Sequence, residues 1–156
     1  MSATVYVETS VVSYLTSLPS RDLVTAAHQQ ITREWWAKRD RFELFVSQFV
    51  LDELAGGDSE AAERRLREMV GIGRLAVVKA AHDLARELIA GRAIPPNATI
   101  DALHVATAAV HGIDYLVTWN CKHIANAVLR QRIESVCRQQ GFAPPTICTP
   151  EELLEE

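Results

Sequence analysis

The sequence predicts an α/β fold, a three-layer α/β/α sandwich around a parallel sheet of about five strands. Short apolar runs rich in β-branched residues recur along the chain, amphipathic stretches separate them, and Gly or Pro marks most junctions. Runs without polar alternation suit strands buried on both faces, which requires helices above and below a parallel sheet.

Residues 4–7, Thr-Val-Tyr-Val, form the first predicted strand. Thr9 or Ser10 suits the cap of a helix carrying Val11, Val12, Tyr14 and Leu15, which Pro19 and Ser20 break. A longer helix spans about residues 22–38, with Ala26, Ala27, Ile31, Trp35 and Trp36 at helical intervals. Arg33, Lys38, Arg39 and Arg41 make its end basic, which complements a helix C-terminus. Residues 43–46 are the second strand, and Ser47 can cap a short helix that runs to about Ala55. Gly56-Gly57 ends it, and Asp58 or Ser59 opens another helix through Met69. Residues 75–78, Leu-Ala-Val-Val, read as the third strand, with a helix over about 80–90 stopped by Gly91. Pro95-Pro96-Asn97 is a rigid loop before a helix, from about Ile100, with almost no polar side. Gly112 stops that helix, and residues 115–118 are the fourth strand. A helix over about 124–140 ends at Gly141, residues 146–149 suit an edge strand, and Pro150 begins a short acidic helical tail.

The 156 residues fit one domain, 1–156, with 48% hydrophobic and 23% charged residues, a balance that argues against disorder or a fibre. A net charge of −4 argues against gripping nucleic acid with the whole surface, although a local basic groove would still serve. Cys121, Cys137 and Cys148 are odd in number and lack metal-like spacing, which fits reduced thiols in the cytoplasm. Glu8 interrupts the apolar N-terminus, and no apolar run approaches the roughly 20 residues of a membrane span. The expectation is a cytoplasmic domain with no membrane partner.

Open parallel sheets place ligands at the carboxyl ends of their strands. Glu8 ends the first strand, Asn120 lies just past the fourth, and Asp101 opens the antiparallel helix between sheet crossings. Asp114 begins its strand and belongs at the far end. Asp52 and Glu53 differ by about 100° of helical rotation, and Glu53 falls at the edge of the apolar face while Asp52 points to solvent. Three carboxylates in one crevice repel each other, and a divalent cation such as Mg²⁺ or Mn²⁺ relieves that conflict and can activate water toward a phosphodiester. Each residue also has a plainer use: Asp101 beside a Thr99 cap, Glu53 in solvent, Asn120 in a turn. His104 and His111 read as core or interface residues, and Trp35 and Trp36 as packing or interface residues. Arg64, Arg65 and Arg67 read as a solvated face or as phosphate contacts, as do Lys122 and His123.

Four segments carry a resemblance: Val5-Tyr6-Val7-Glu8-Thr9-Ser10, Leu51-Asp52-Glu53-Leu54, Ile100-Asp101-Ala102-Leu103-His104-Val105-Ala106 and Tyr115-Leu116-Val117-Thr118-Trp119-Asn120. In order and spacing they resemble a PIN domain, and those of VapC-like bacterial toxins in particular. The resemblance implies a Mg²⁺- or Mn²⁺-dependent ribonuclease that acts on RNA, forms a homodimer and is held inactive by a small cognate antitoxin. By position it assigns Glu8, Glu53 and Asp101 to the metal, and Glu8, Glu53, Asp101 and Asn120 to catalysis. Thr9, Ser10 and Thr118 match supporting hydroxyl positions. Two positions depart from the pattern: Glu8 is one methylene longer than the usual Asp, and Asn120 is neutral where a fourth acid is usual. A non-catalytic RNA- or protein-binding module is the alternative these departures suggest. Apolar surface around Val11, Leu15, Leu23, Trp35 and Trp36 is the expected seat of an amphipathic partner helix.

Overall fold

Val5, Tyr6 and Val7 are wholly buried in β1 (Ala3–Val7), the middle strand of the computed structural model, which describes residues 2–154. On one side β1 pairs with β2 (Phe42–Ser47), and β2 with β3 (Gly73–Leu75); on the other it pairs with β4 (Tyr115–Val117), and β4 with β5 (Thr146–Cys148). All four pairings are parallel, in the order β3-β2-β1-β4-β5.

Among the described residues seven α-helices connect and cover these strands: α1 (Thr9–Thr16), α2 (Leu23–Ala37), α3 (Gln48–Leu54), α4 (Ser59–Glu68), α5 (Lys79–Ala90), α6 (Thr99–Val110) and α7 (Ala127–Gln139). Chain order runs outward from β1 to β3, then returns past β1 to β4 and β5. Right-handed crossovers in opposite directions put their helices on opposite faces. Accordingly α1 packs on α2, α3 and α4, while α5 packs on α6 and α7. The reversal makes the junction of β1 and β4 the switch point, where doubly wound folds open a crevice.

Helix α6 is buried from Ala102 through Ala109, which accounts for its nearly unbroken apolar sequence. Gly112, at φ +67°, supplies the left-handed residue that ends it. At the opposite edge β3 starts two residues earlier than the Leu-Ala-Val-Val run suggests, because pairing with β2 begins at Phe45 opposite Gly73. A Cβ at Gly73 would lie 2.6 Å from the Phe45 ring, so this contact needs glycine although glycine is a poor strand former. Val78 instead becomes the residue flanking α5. Helix α7 begins three residues later than its apolar pattern suggests, since Asn126 accepts from the Val128 and Leu129 amides and fixes the start.

Three expected caps do not form. Ser47 stands at the N-cap of α3 but makes no side-chain cap bond, Glu8 rather than Thr9 or Ser10 stands at that of α1, and Ala98 rather than Thr99 at that of α6. The first three hydroxyls are engaged elsewhere: Ser47 meets Tyr6, Thr9 donates to Glu53, and Ser10 donates to neighbouring Glu8 while accepting the distant Trp119 amide. The expected apolar seat around Trp35 also closes up: Val11 and Trp35 are fully buried and Trp36 is 6% exposed. Leu23 alone of that set remains strongly exposed. No helix among the described residues is long and apolar enough to cross a membrane.

Candidate active site

The ends of β1 and β4 build the floor of the crevice. The Glu8 amide donates to the Val117 carbonyl, carrying the β1–β4 ladder one residue past β1 and delivering the Glu8 side chain to the switch point. Glu8 is 4% exposed, an unusual place for a carboxylate, and it is compensated locally. Thr118 donates to its Oε1 at 2.6 Å, and the Ser10 hydroxyl donates to the same oxygen. These hydroxyls in turn accept backbone amides, Ser10 from Trp119 at 2.8 Å and Thr118 from Asn120 at 2.9 Å. The turn after β4 is thereby tied to the acid beside it.

Glu53 reaches the same place from α3. Its Oε1 accepts from Thr9 at 2.6 Å and lies 2.7 Å from His104 Nε2. Burial pushes this carboxyl up, but the bonds from His104 and Thr9, with the electrostatic pull of His104, prevail and hold it below its ordinary value. Asp52 points outward and accepts from Gln48 at 2.8 Å. Arg65 secures the end of α3 by donating to the Leu54 carbonyl at 3.0 Å and the Gly56 carbonyl at 2.7 Å. That removes Arg65 from the set of free phosphate-binding cations; Arg67 pairs with Glu63 at 3.2 Å.

Ligand atoms of Glu8, Glu53 and His104 all lie within 4.8 Å of one another. Asp101 stands outside that group. It occupies the first turn of α6, three residues before His104 and hence on the same side of the helix, and its Oδ2 lies 2.9 Å from His123 Nδ1. Asn120 closes the intervening loop: its side-chain oxygen accepts the His123 amide at 3.1 Å, and its carbonyl accepts from Ala125 at 2.7 Å. This is the turn use of Asn. Asp114 lies at the opposite end of the sheet, where it accepts from the Thr4 amide at 2.9 Å.

Two histidines join the acids, Asn and hydroxyls of the site: His104, which the sequence suggests as a core or interface residue, and His123, which it suggests as a solvated loop residue or a phosphate contact. His104 is core, as its apolar surroundings suggest, yet its ring also touches Glu53; its spacing of three from Asp101 is the signal. His123 turns inward with 22% of its side chain exposed and meets Asp101 instead of standing free for phosphate, a pairing loop composition does not reveal. His111 is neither core nor site: it lies exposed and reaches the Ala76 carbonyl at 2.7 Å.

The donor chemistry fits a hard divalent cation. On Glu8, Glu53 and Asp101, one oxygen is held by protein, and the other has no hydrogen-bond partner among the described residues. Carboxylate oxygens of this kind suit Mg²⁺ or Mn²⁺.

A doubly wound sheet with carboxylates at its switch point defines a class of α/β proteins built to bind ligands at that crevice. The chain belongs to the PIN-domain family, whose model matches residues 5–128. Among solved structures it is similar to VapC20 of Mycobacterium tuberculosis, described as a sarcin-ricin loop cleaving toxin, at 18% identity and a TM-score of 0.58 over 76% of this chain and 92% of that one. It is also similar to VapBC2 of Rickettsia felis bound to a DNA fragment from its promoter, at 15% identity and a TM-score of 0.56 over 94% of this chain and 98% of that one. At these identities the likeness is one of fold. No curated protein sequence matches the chain.

Proposed function

We propose that this protein is a Mg²⁺- or Mn²⁺-dependent endoribonuclease, the toxin of a toxin–antitoxin pair, acting in the cytoplasm as a homodimer. The observation that carries the reading is the meeting of Glu8 and Glu53 at one crevice, each with one oxygen held by two protein donors and the other left for a ligand. Glu8, Glu53 and Asp101 would hold the cation, which when bound supplies Lewis-acid stabilisation of the phosphodiester and a more acidic water.

The chain's own groups do the rest. Thr9, Ser10 and Thr118 fix the two glutamates by hydrogen bonds. Asn120 closes the turn that brings His123 to Asp101, so its contribution needs no charge. The extra methylene of Glu8 is accommodated by its tether to Ser10 and Thr118. VapC20 is described as a toxin that cleaves the sarcin-ricin loop, so structured RNA is the substrate class to try first. The two-component name VapBC2 supports a small cognate antitoxin as partner.

Purified protein should cleave structured RNA when Mg²⁺ or Mn²⁺ is supplied, and Asp101→Asn should abolish cleavage. Equal cleavage by that variant would reveal a contaminating nuclease and remove the site assignment. The second reading, a non-catalytic RNA- or protein-binding module, is favoured by the neutral Asn120 and by the Asp101–His123 contact. RNA bound intact, with no uptake of millimolar Mn²⁺ in calorimetry, would select it.

A further inference from the structure

A line of buried polar side chains runs from the sheet to Glu53, through a region otherwise apolar. Ser47 Oγ lies 2.7 Å from Tyr6 OH, Tyr6 OH lies 2.7 Å from His104 Nδ1, and His104 Nε2 lies 2.7 Å from Glu53 Oε1. Ser47, Tyr6 and His104 are all fully buried. The four residues come from the end of β2, the next-to-last position of β1, the first half of α6 and the end of α3.

The chemistry gives the line a direction. An ionised Glu53 carboxylate only accepts, so His104 Nε2–H donates to it. When the ring is neutral Nδ1 then accepts from the Tyr6 hydroxyl, whose oxygen is free to accept from Ser47; when it is charged both nitrogens donate, and Nε2–H faces Glu53 in either form. The two rings meet edge to face at 5.7 Å, which restricts the imidazole further.

We propose that Ser47, Tyr6 and His104 are a positioning relay that holds Glu53 by Oε1 and keeps Oε2 for the divalent cation. This inference rests on the metal-dependent reading above. His104 is the decisive positioning residue; Tyr6 and Ser47 act through it. A merely structural role would let Leu, which fills the same buried volume, replace His104 without cost to metal affinity. The relay requires a donor.

The test is Mn²⁺ calorimetry on the full chain, with thermal unfolding of each variant as a separate readout. His104→Leu should weaken Mn²⁺ binding by about 10- to 100-fold, the usual loss for an outer-shell partner. His104→Gln, which keeps an N–H, should retain more affinity than Leu whatever the order of their melting temperatures. Tyr6→Phe should weaken binding on its own and add no loss in the His104→Leu background. If His104→Leu does not fold, Tyr6→Phe decides alone, since it removes a single oxygen.

Wild-type affinity in His104→Leu or in Tyr6→Phe overturns the relay and leaves the metal reading intact. A ¹⁴N coupling from His104 in the Mn²⁺ spectrum also overturns it, because the ring would then be a ligand. A wild-type protein that takes up no Mn²⁺ fails the metal reading itself, and the relay with it.

Discussion

The two halves of the crevice are built differently. Glu8 and Glu53 sit where regular elements end, and their partners Thr118 and His104 are fully buried. Asp101 faces a loop, and its partner His123 is held by the side chain of Asn120 and backbone turns between residues 119 and 125. The first half is preorganised, because moving either glutamate would strand buried donors. The second half is tied to the sheet only at its start, where the Trp119 and Asn120 amides donate to Ser10 and Thr118, and beyond that point a turn rather than a strand positions His123. A ligand would meet one rigid wall and one compliant wall.

Breaking the rigid wall should have the largest effect. Glu53→Gln removes charge at the point where two donors converge, and RNA cleavage should fall by at least about 100-fold. Single-turnover cleavage at saturating Mn²⁺ measures it, and a loss restored by more metal would place Glu53 in metal recruitment alone. His123→Ala on the compliant wall should cost about tenfold, the low end for a partner that orients a ligand. Equal losses from the two substitutions would erase the distinction between the walls.

Stability should follow the same division with smaller differences. Leu116 is fully buried in β4, and Leu116→Ala should destabilise by about 3 kcal/mol in denaturant unfolding. Asn126→Ala removes the cap that ends the loop and starts α7, and should cost about 1 kcal/mol. If the cap cost as much as the core leucine, the loop would belong to the cooperative core and the compliant wall would be rigid.

What the sequence makes legible divides along a related line. The parallel sheet, its two helical layers and the arrival of Glu8 and Glu53 at one end follow from apolar runs and chain direction, which act locally. The outward turn of Asp52 and the inward turn of Glu53 follow from helical rotation and the apolar face of α3. The bounds of β3 do not, because Gly73 is strand only by virtue of Phe45 and its neighbours across the ladder. Thr9 and Ser10 look like caps, yet one reaches Glu53, 44 residues on, and the other accepts the Trp119 amide, 109 residues on. His104 reads as core because seven of its neighbours in α6 are buried with it, and only contact with α3 gives it polar work. His123 has no periodic signal, since a turn aims it. Local patterns thus reveal elements, and tertiary contacts decide what their polar side chains touch.

The smallest expected effect separates loop from core by chemistry alone. Cys121 lies exposed in the turn, while Cys137 and Cys148 are buried. Burial pushes the Cys137 thiol up to about 11 and the Cys148 thiol up to about 12. A raised value means the protonated, unreactive form persists through pH 8, so raising the pH from 7 to 8 should leave both silent. One thiol per chain should then react with a maleimide in the native protein, and three in denaturant. Cys121→Ser should abolish native labelling without altering RNA cleavage, because its exposed side chain makes no hydrogen bond to the acids among the described residues. Slow native labelling of Cys137 would show α7 opening on its own and would extend the compliant wall from the turn into the helix that follows it.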